Sequence, residues 1–368
     1  MCSTHIYLTQ IKYTILMKKL LTLLIAFNFG MVPFLMAQDD EAKEPLEISG
    51  SIDLYYKYDF SGYKSSDGVS NIPTSFADEQ NSLSIGMLDI ALSQTVGKAS
   101  FVGEFSFGPR SFKSIPTFDL GDGDEININI QNLYASYALS DAISLTAGYM
   151  GTFVGYEVIS PTGNFNYSTS YLFTNGPFQN AGLKMDWSVN DNFGIMVGIF
   201  NDWNVYQDFD GLTDIGAQIY FAPTDGFDIY LNVLNGPNTG LIVDLTTGYQ
   251  ITDAFYLGLN AADFTFDDSD EGGYTGFALY PQLALSDAFS IGYRGEWFNI
   301  KEVKAGDAVV SESESVFAST LTGNFYSGPL TLSTEFRFDS ASSDFFVDSD
   351  DVATDAASQF VIAAIYAF

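Results

Sequence analysis

The chain has 368 residues with 46% hydrophobic and 16% aromatic side chains, 33 glycines, and a formal net charge of −32. That acidity speaks against nucleic acid or anionic lipid as a partner, and the aromatic content with regular alternation speaks against disorder. Downstream of the N-terminus no run of eighteen apolar residues occurs, so a helical membrane protein is excluded and a large β protein with its hydrophobicity spread by alternation remains.

The first element is a leader. From Met17 the chain reads "MKKLLTLLIAFNFGMVPFLMAQDD", with Lys18 and Lys19 ahead of an apolar core from Leu20 to Phe34. Leu35 and Ala37 stand at the minus-three and minus-one positions before Gln38, so residues 1–37 read as a cleaved secretory signal peptide. Residues 1–16 precede an ordinary start and read as an over-extended translation start. Cleavage removes three of the 14 basic residues and none of the 46 acids, leaving a net charge of −35. It also removes Cys2 and His5, the chain's only cysteine and histidine. The mature chain then has no thiolate or imidazole, which rules out Ser-His-Asp and cysteine catalysis and ordinary zinc sites. The chain is expected not to be an enzyme and to need no metal or cofactor.

Residues 38–46 form a short acidic tail, expected in the periplasm and too short for a plug domain. Residues 47–368 then alternate with period two. In "EISGSIDLYYKYDF" one face carries Ile48, Ile52, Leu54, Tyr56, Tyr58 and Phe60, the other Ser51, Asp53 and Lys57. Phe193, Ile195, Val197 and Ile199 alternate with Gly194 and Gly198, and Leu332, Phe336 and Phe338 with Glu335 and Arg337. Repeated around the chain, this pattern puts one face in lipid and one in water.

Seven short turns punctuate the pattern, five of them built on a Ser/Thr/Asn–Asp or Asp–small phrase such as "LSDAIS" (139–144) and "LSDAFS" (285–290). Longer polar connections lie near 61–80, 109–125, 150–180, 201–212, 235–239, 263–272, 299–315 and 339–358. The alternation changes phase within 82–97 and 126–139, which bulges would explain; the count is therefore about 16 strands, within 14–18. The predicted fold is all-β: a transmembrane antiparallel up-and-down barrel with short turns at one rim and a long third extracellular loop. The last segment, "QFVIAAIYAF" (359–368), must close on the first strand, since an open sheet would leave two edges unpaired in lipid. Tyr366 and Phe368 fall at an aromatic girdle, and the terminal aromatic resembles the signal read by the outer-membrane assembly machinery.

The stretch 147–187 resembles the β-barrel porin-2 (OmpL-like) family of Gram-negative outer-membrane proteins. Gly148, Thr152, Gly155 and Glu157 match its opening motif, Asn164 and Ser168–Ser170 its middle, and Pro177 and Gly182 its end. Thr169 stands where the pattern has arginine, and Asn180-Ala181 where it has His-Thr. The resemblance implies a pore in the cell outer membrane for passive diffusion of small hydrophilic solutes and ions. The alternative is a non-conducting barrel whose acidic loops bind a surface partner or carbohydrate. Outer-membrane lipid and the assembly machinery are the expected partners, and an oligomer is compatible with both readings.

The third connection is aromatic-rich and charge-poor, so it is expected to fold into the lumen. The pore-lining and constriction candidates are Lys57, Glu104, Glu157, Lys184, Arg294, Glu296 and Arg337. Lys57, Arg294 and Arg337 fall on strands one, thirteen and fifteen, one basic wall that Glu157 would face. The acidic loops at 119–125 and 263–273 lack the spacing of an EF-hand and read as solvated charge; with the acids of 339–355 they are expected to concentrate cations at the mouth.

Overall fold

Alternation of this kind needs a closed sheet, and the computed structural model contains one. It describes residues 44–63, 70–114, 118–119, 125–126, 129–306 and 308–368; the leader and most of the 119–125 loop lie outside these residues. The barrel strands are β1 (Glu47–Asp59), β2 (Leu83–Val96), β3 (Ala99–Phe107), β4 (Asn129–Ala138), β5 (Ile143–Gly151) and β6 (Gln179–Asn190). They continue as β7 (Phe193–Phe200), β8 (Asp214–Thr224), β9 (Phe227–Gly236), β10 (Gly240–Gln250) and β11 (Phe255–Thr265). The last five are β12 (Gly273–Ser286), β13 (Phe289–Ile300), β14 (Glu314–Ser327), β15 (Leu330–Ala341) and β16 (Ala356–Ala367). Each pairs with its chain neighbour, and the sheet closes where β16 joins β1.

The closing register runs antiparallel from Ser51 opposite Ala367 to Asp59 opposite Gln359. Beyond it, Phe368 and Gly50 exchange two backbone hydrogen bonds of 3.0 Å each. The expected closure and the count of sixteen therefore hold. Seven turns of two to four residues join the strands at one rim, as the sequence predicts. At the other rim seven connections are longer, and the eighth, expected near 235–239 as a long one, is a turn of three residues because β9 and β10 pair as far as Gly236 and Gly240.

Period two sorts the side chains. On β1, Ile48, Ile52, Leu54 and Tyr58 are exposed on the outer face, whereas Ser51, Asp53 and Lys57 are buried inside. On β15, Leu332, Phe336 and Phe338 point outward and Glu335 and Arg337 inward. A face that water would penalise is favourable against lipid tails, and a closed ladder leaves no unpaired edge there.

Both changes of phase are register shifts. Between Ile52 and Leu54 of β1 the partner on β2 jumps from Leu88 to Ile85. Between Glu104 and Phe105 of β3 the partner on β4 jumps from Asn132 to Ile130. Each shift leaves one strand with extra residues, as a bulge does.

Two short helices occupy the connections: α1 (Pro109–Ser114), after β3, and α2 (Tyr171–Asn175), between β5 and β6. No helix among the described residues is long and apolar enough to cross a membrane, which says nothing of crossing by strands.

Candidate functional site

The connection from Thr152 to Phe178 has almost no ladder of its own, so its backbone must find partners elsewhere if it is buried. Inward-facing carboxylates accept from it. Glu335 takes the N–H groups of Tyr167 (2.6 Å) and Ser168 (2.9 Å), and Glu296 those of Tyr171 (2.9 Å) and Leu172 (2.8 Å). Asp244 takes that of Gly155 at 3.0 Å. Inward-facing donors serve its carbonyls: Arg294 reaches Ser168 and Thr169, Arg337 reaches Thr169, and Asn324 reaches Phe165. The segment is thus folded across the inside of the barrel, as its composition suggests.

Charge is matched as well as hydrogen bonding. Arg294 Nη1 lies 2.7 Å from Glu157 Oε1, and Arg337 grips Asp339 through Nε and Nη2, both at 2.8 Å. Glu157 also accepts from the Ser170 N–H at 2.8 Å, and Ser170 Oγ accepts from Phe173 N–H, capping α2. Arg110 of α1 packs over the rings of Phe76 and Tyr167, with its Nε 3.8 Å from Asp53. Tyr167 and Tyr171 donate their hydroxyls to Asp53 and Asp339. Burial, and then for Tyr171 the neighbouring Asp339, pushes these phenols well above the ordinary tyrosine value, so both stay neutral donors.

The rings of the segment occupy places that strand glycines leave free. A Cβ at Gly216 would stand 2.6 Å from Phe153 Cζ, one at Gly258 2.6 Å from Tyr156 Cζ, and one at Gly292 2.7 Å from Phe165 Cδ1. Glycine inside a strand weakens it unless something approaches closely. Here a ring does. Tyr156 also stacks on Tyr280, with centroids 4.2 Å apart.

The structure puts Lys57, Arg294 and Arg337 on one wall, since Arg294 faces Thr320 and Thr320 faces Arg337 across β13–β15. That wall does not border open space, however. Lys57, Arg294 and Glu296 are 0% exposed, Arg337 1% and Glu157 6%: the segment bonds Arg294, Glu296 and Arg337, and the β1–β2 connection bonds Lys57 through Ser70 and Arg337 through Thr74. Glu157 does face that wall, through Arg294, but as part of a buried set of ion pairs and hydrogen bonds. Lys57 itself donates to Ser70 at 2.6 Å. Glu104 and Lys184 differ: both are only partly buried, Glu104 accepting from Asn132 and Lys184 lying 3.2 Å from Asp186.

Sequence reading missed Arg110, Asp339, Asp186 and Asp244. Arg110 sits in a connection, where alternation gives no direction. Thr169, where the family pattern has arginine, is wholly buried, and its carbonyl receives both Arg294 and Arg337. Strand residues supply the cations there. Tyr366 and Phe368, the candidate assembly signal, are exposed on the outer face beside the short-turn rim.

Among the described residues, two neighbouring chambers border the segment inside the barrel. The larger, about 650 Å³, lies between the segment and the short-turn rim, bordered by Asn164, Phe165, Gln250, Asn324, Tyr326 and Ser333. The smaller, about 330 Å³, is bordered by Phe153, Gln218, Asp228, Tyr230 and Thr246. They share Tyr156 and Tyr256.

Three solved structures show how widely this barrel recurs. The outer membrane channel DcaP of Acinetobacter baumannii superposes with a TM-score of 0.58 at 11% identity, covering 88% of this chain and 97% of that one. Salmonella typhi OmpF, in complex with daunomycin, gives 0.57 at 11%, covering 89% and 100%. The outer membrane protein OmpT of Vibrio cholerae, in a trimer form, gives 0.54 at 11%, covering 88% and 99%. At such identities the likeness is one of fold. No curated protein matches the sequence. The model of the family described as beta-barrel porin-2, OmpL-like, matches residues 45–368, which is the whole barrel. With its porin-like fold and its lipid-facing exterior, the chain belongs to that family of Gram-negative outer-membrane barrels.

Proposed function

We propose that the protein is a porin through which small hydrophilic solutes and ions diffuse passively, and that it is not an enzyme. The observation that carries this reading is the pair of chambers that persist inside a sixteen-stranded barrel beside the infolded segment. A barrel of this size encloses more cross-section than strand side chains alone can fill. Glu104 and Lys184, with water contact, are the pore-lining charges; Lys57, Glu157, Arg294, Glu296 and Arg337 hold the constriction in place without touching the solute. The long connections face outward from the cell, the short turns face the periplasm, and residues 1–37 are removed on export.

A second reading has a specific observation in its favour. The charged cluster beneath the segment is sealed from water, as it would be in a non-conducting barrel that binds a partner through its acidic loops. Proteoliposome swelling separates the two. The porin reading expects liposomes carrying the full chain to swell in small sugars at rates that fall with solute size; swelling no faster than in empty liposomes would reject it.

A further inference from the structure

The sealed and the open parts of the interior differ in chemistry. Charges crowd beneath the segment, yet the larger chamber has no Asp, Glu, Lys or Arg among its described lining residues. It offers tyrosine rings, side-chain amides and hydroxyls instead. Two of its polar atoms, Asn324 Oδ1 and Ser333 Oγ, are buried and take no hydrogen bond from any described protein group. Asn324 and Ser333 are 4% and 2% exposed. Tyr326, at the mouth beside the short turns, is 37% exposed.

An ion entering such a chamber sheds hydration and meets no counter-charge, which disfavours it. A neutral solute with many hydroxyls meets what it needs. Its C–H faces lie against ring faces, its hydroxyls reach amide and hydroxyl groups, and the volume falls within the roughly 300–1,000 Å³ usual for small-molecule sites. Buried polar groups without partners favour a solute that completes them. We propose that the larger chamber is a saturable subsite for neutral, hydroxyl-rich solutes of monosaccharide type, with Tyr326, Asn324 and Ser333 among its contacts. This inference rests on the porin reading.

The test uses the full chain refolded into planar bilayers, with ion current as the readout. The probes are glucose and its charged counterparts glucosamine and glucuronate, added at equal concentrations. Glucose is expected to reduce the current saturably, with each charged counterpart about tenfold weaker. Tyr326→Ala and Ser333→Ala are both expected to fold, since one side chain is exposed and the other makes no protein hydrogen bond. Each should raise the half-blocking glucose concentration roughly threefold to tenfold, the size of one lost polar or ring contact. A conducting channel that glucose does not block, or that glucuronate blocks equally well, would overturn the subsite and leave the porin reading standing. Loss of all conductance in a folded barrel would overturn both.

Discussion

Arg294 on β13 and Glu157 on the infolded segment form an ion pair at 2.7 Å, and both side chains are buried. Removing one partner of a buried pair leaves an uncompensated charge, at a cost of about 3–5 kcal/mol. Arg294→Met should therefore loosen the segment, because the same guanidinium also holds the carbonyls of Ser168 and Thr169. Expected outcomes are a lower thermal midpoint and a noisier, larger single-channel current. Adding Glu157→Gln should recover part of the midpoint, because it removes the orphaned charge. An unchanged current in Arg294→Met would mean that the segment is held without this pair.

Gly292 and Phe165 supply a steric test. A side chain at Gly292 would collide with the ring, whose nearest atoms leave no space for a Cβ. Gly292→Val should destabilise the barrel by about 1–3 kcal/mol through overpacking. Phe165→Ala in the same chain should restore much of that loss, measured by denaturant unfolding in detergent. Two independent, additive losses would show that ring and glycine do not meet.

Ion preference follows from which charges touch water. With Lys57, Arg294 and Arg337 sealed, the acids of the 266–272 and 342–355 connections and the partly buried Glu104, Asp186 and Asp228 outnumber accessible cations such as Lys184, Lys301 and Lys304. We expect a weak cation preference in about 0.1 M salt, where the Debye length is about 10 Å, fading in about 1 M salt, where it is about 3 Å. The sealed wall should not reverse the preference. Reversal potentials across a salt series check this; anion preference in 1 M salt would show the basic wall to be in contact with the permeating water.

Closure predicts an asymmetry between the ends. Phe368 exchanges two backbone hydrogen bonds with Gly50, so deleting it shortens the seam between β16 and β1. Its loss should reduce the fraction of protein that migrates as a compact form before boiling. Deleting Gln38, ahead of β1, should leave that fraction unchanged. Equal effects of the two deletions would contradict a seam at this end.

Much of the barrel was legible because lipid imposes period two on every strand. Ile52 and Lys57 on β1, or Phe336 and Arg337 on β15, reveal their sides from spacing alone. The turn phrases "LSDAIS" and "LSDAFS" marked two of the tight reversals, where Ser140 Oγ accepts from the N–H groups of Ala142 and Ile143 and Ser286 Oγ from that of Ala288, the serines and not the aspartates bonding the turn backbone. The interior was less legible. Alternation says that Arg294 points inward but not what it meets, and Glu157 lies 137 residues away along the chain. Inward glycines at 216, 258 and 292 carried the missing signal, since glycine in a strand often marks a close approach. Arg110 could not be placed, because its connection has no period to read.

The central claim is that water crosses this barrel past the infolded segment. Single-channel recording of the refolded full chain in planar bilayers tests it most directly, with folding verified on the same sample by heat-modifiable gel mobility. The account predicts discrete conductance steps that scale nearly linearly with salt concentration and grow in Arg294→Met. A folded, heat-modifiable barrel that gives no steps above the bare lipid at any salt concentration would contradict it.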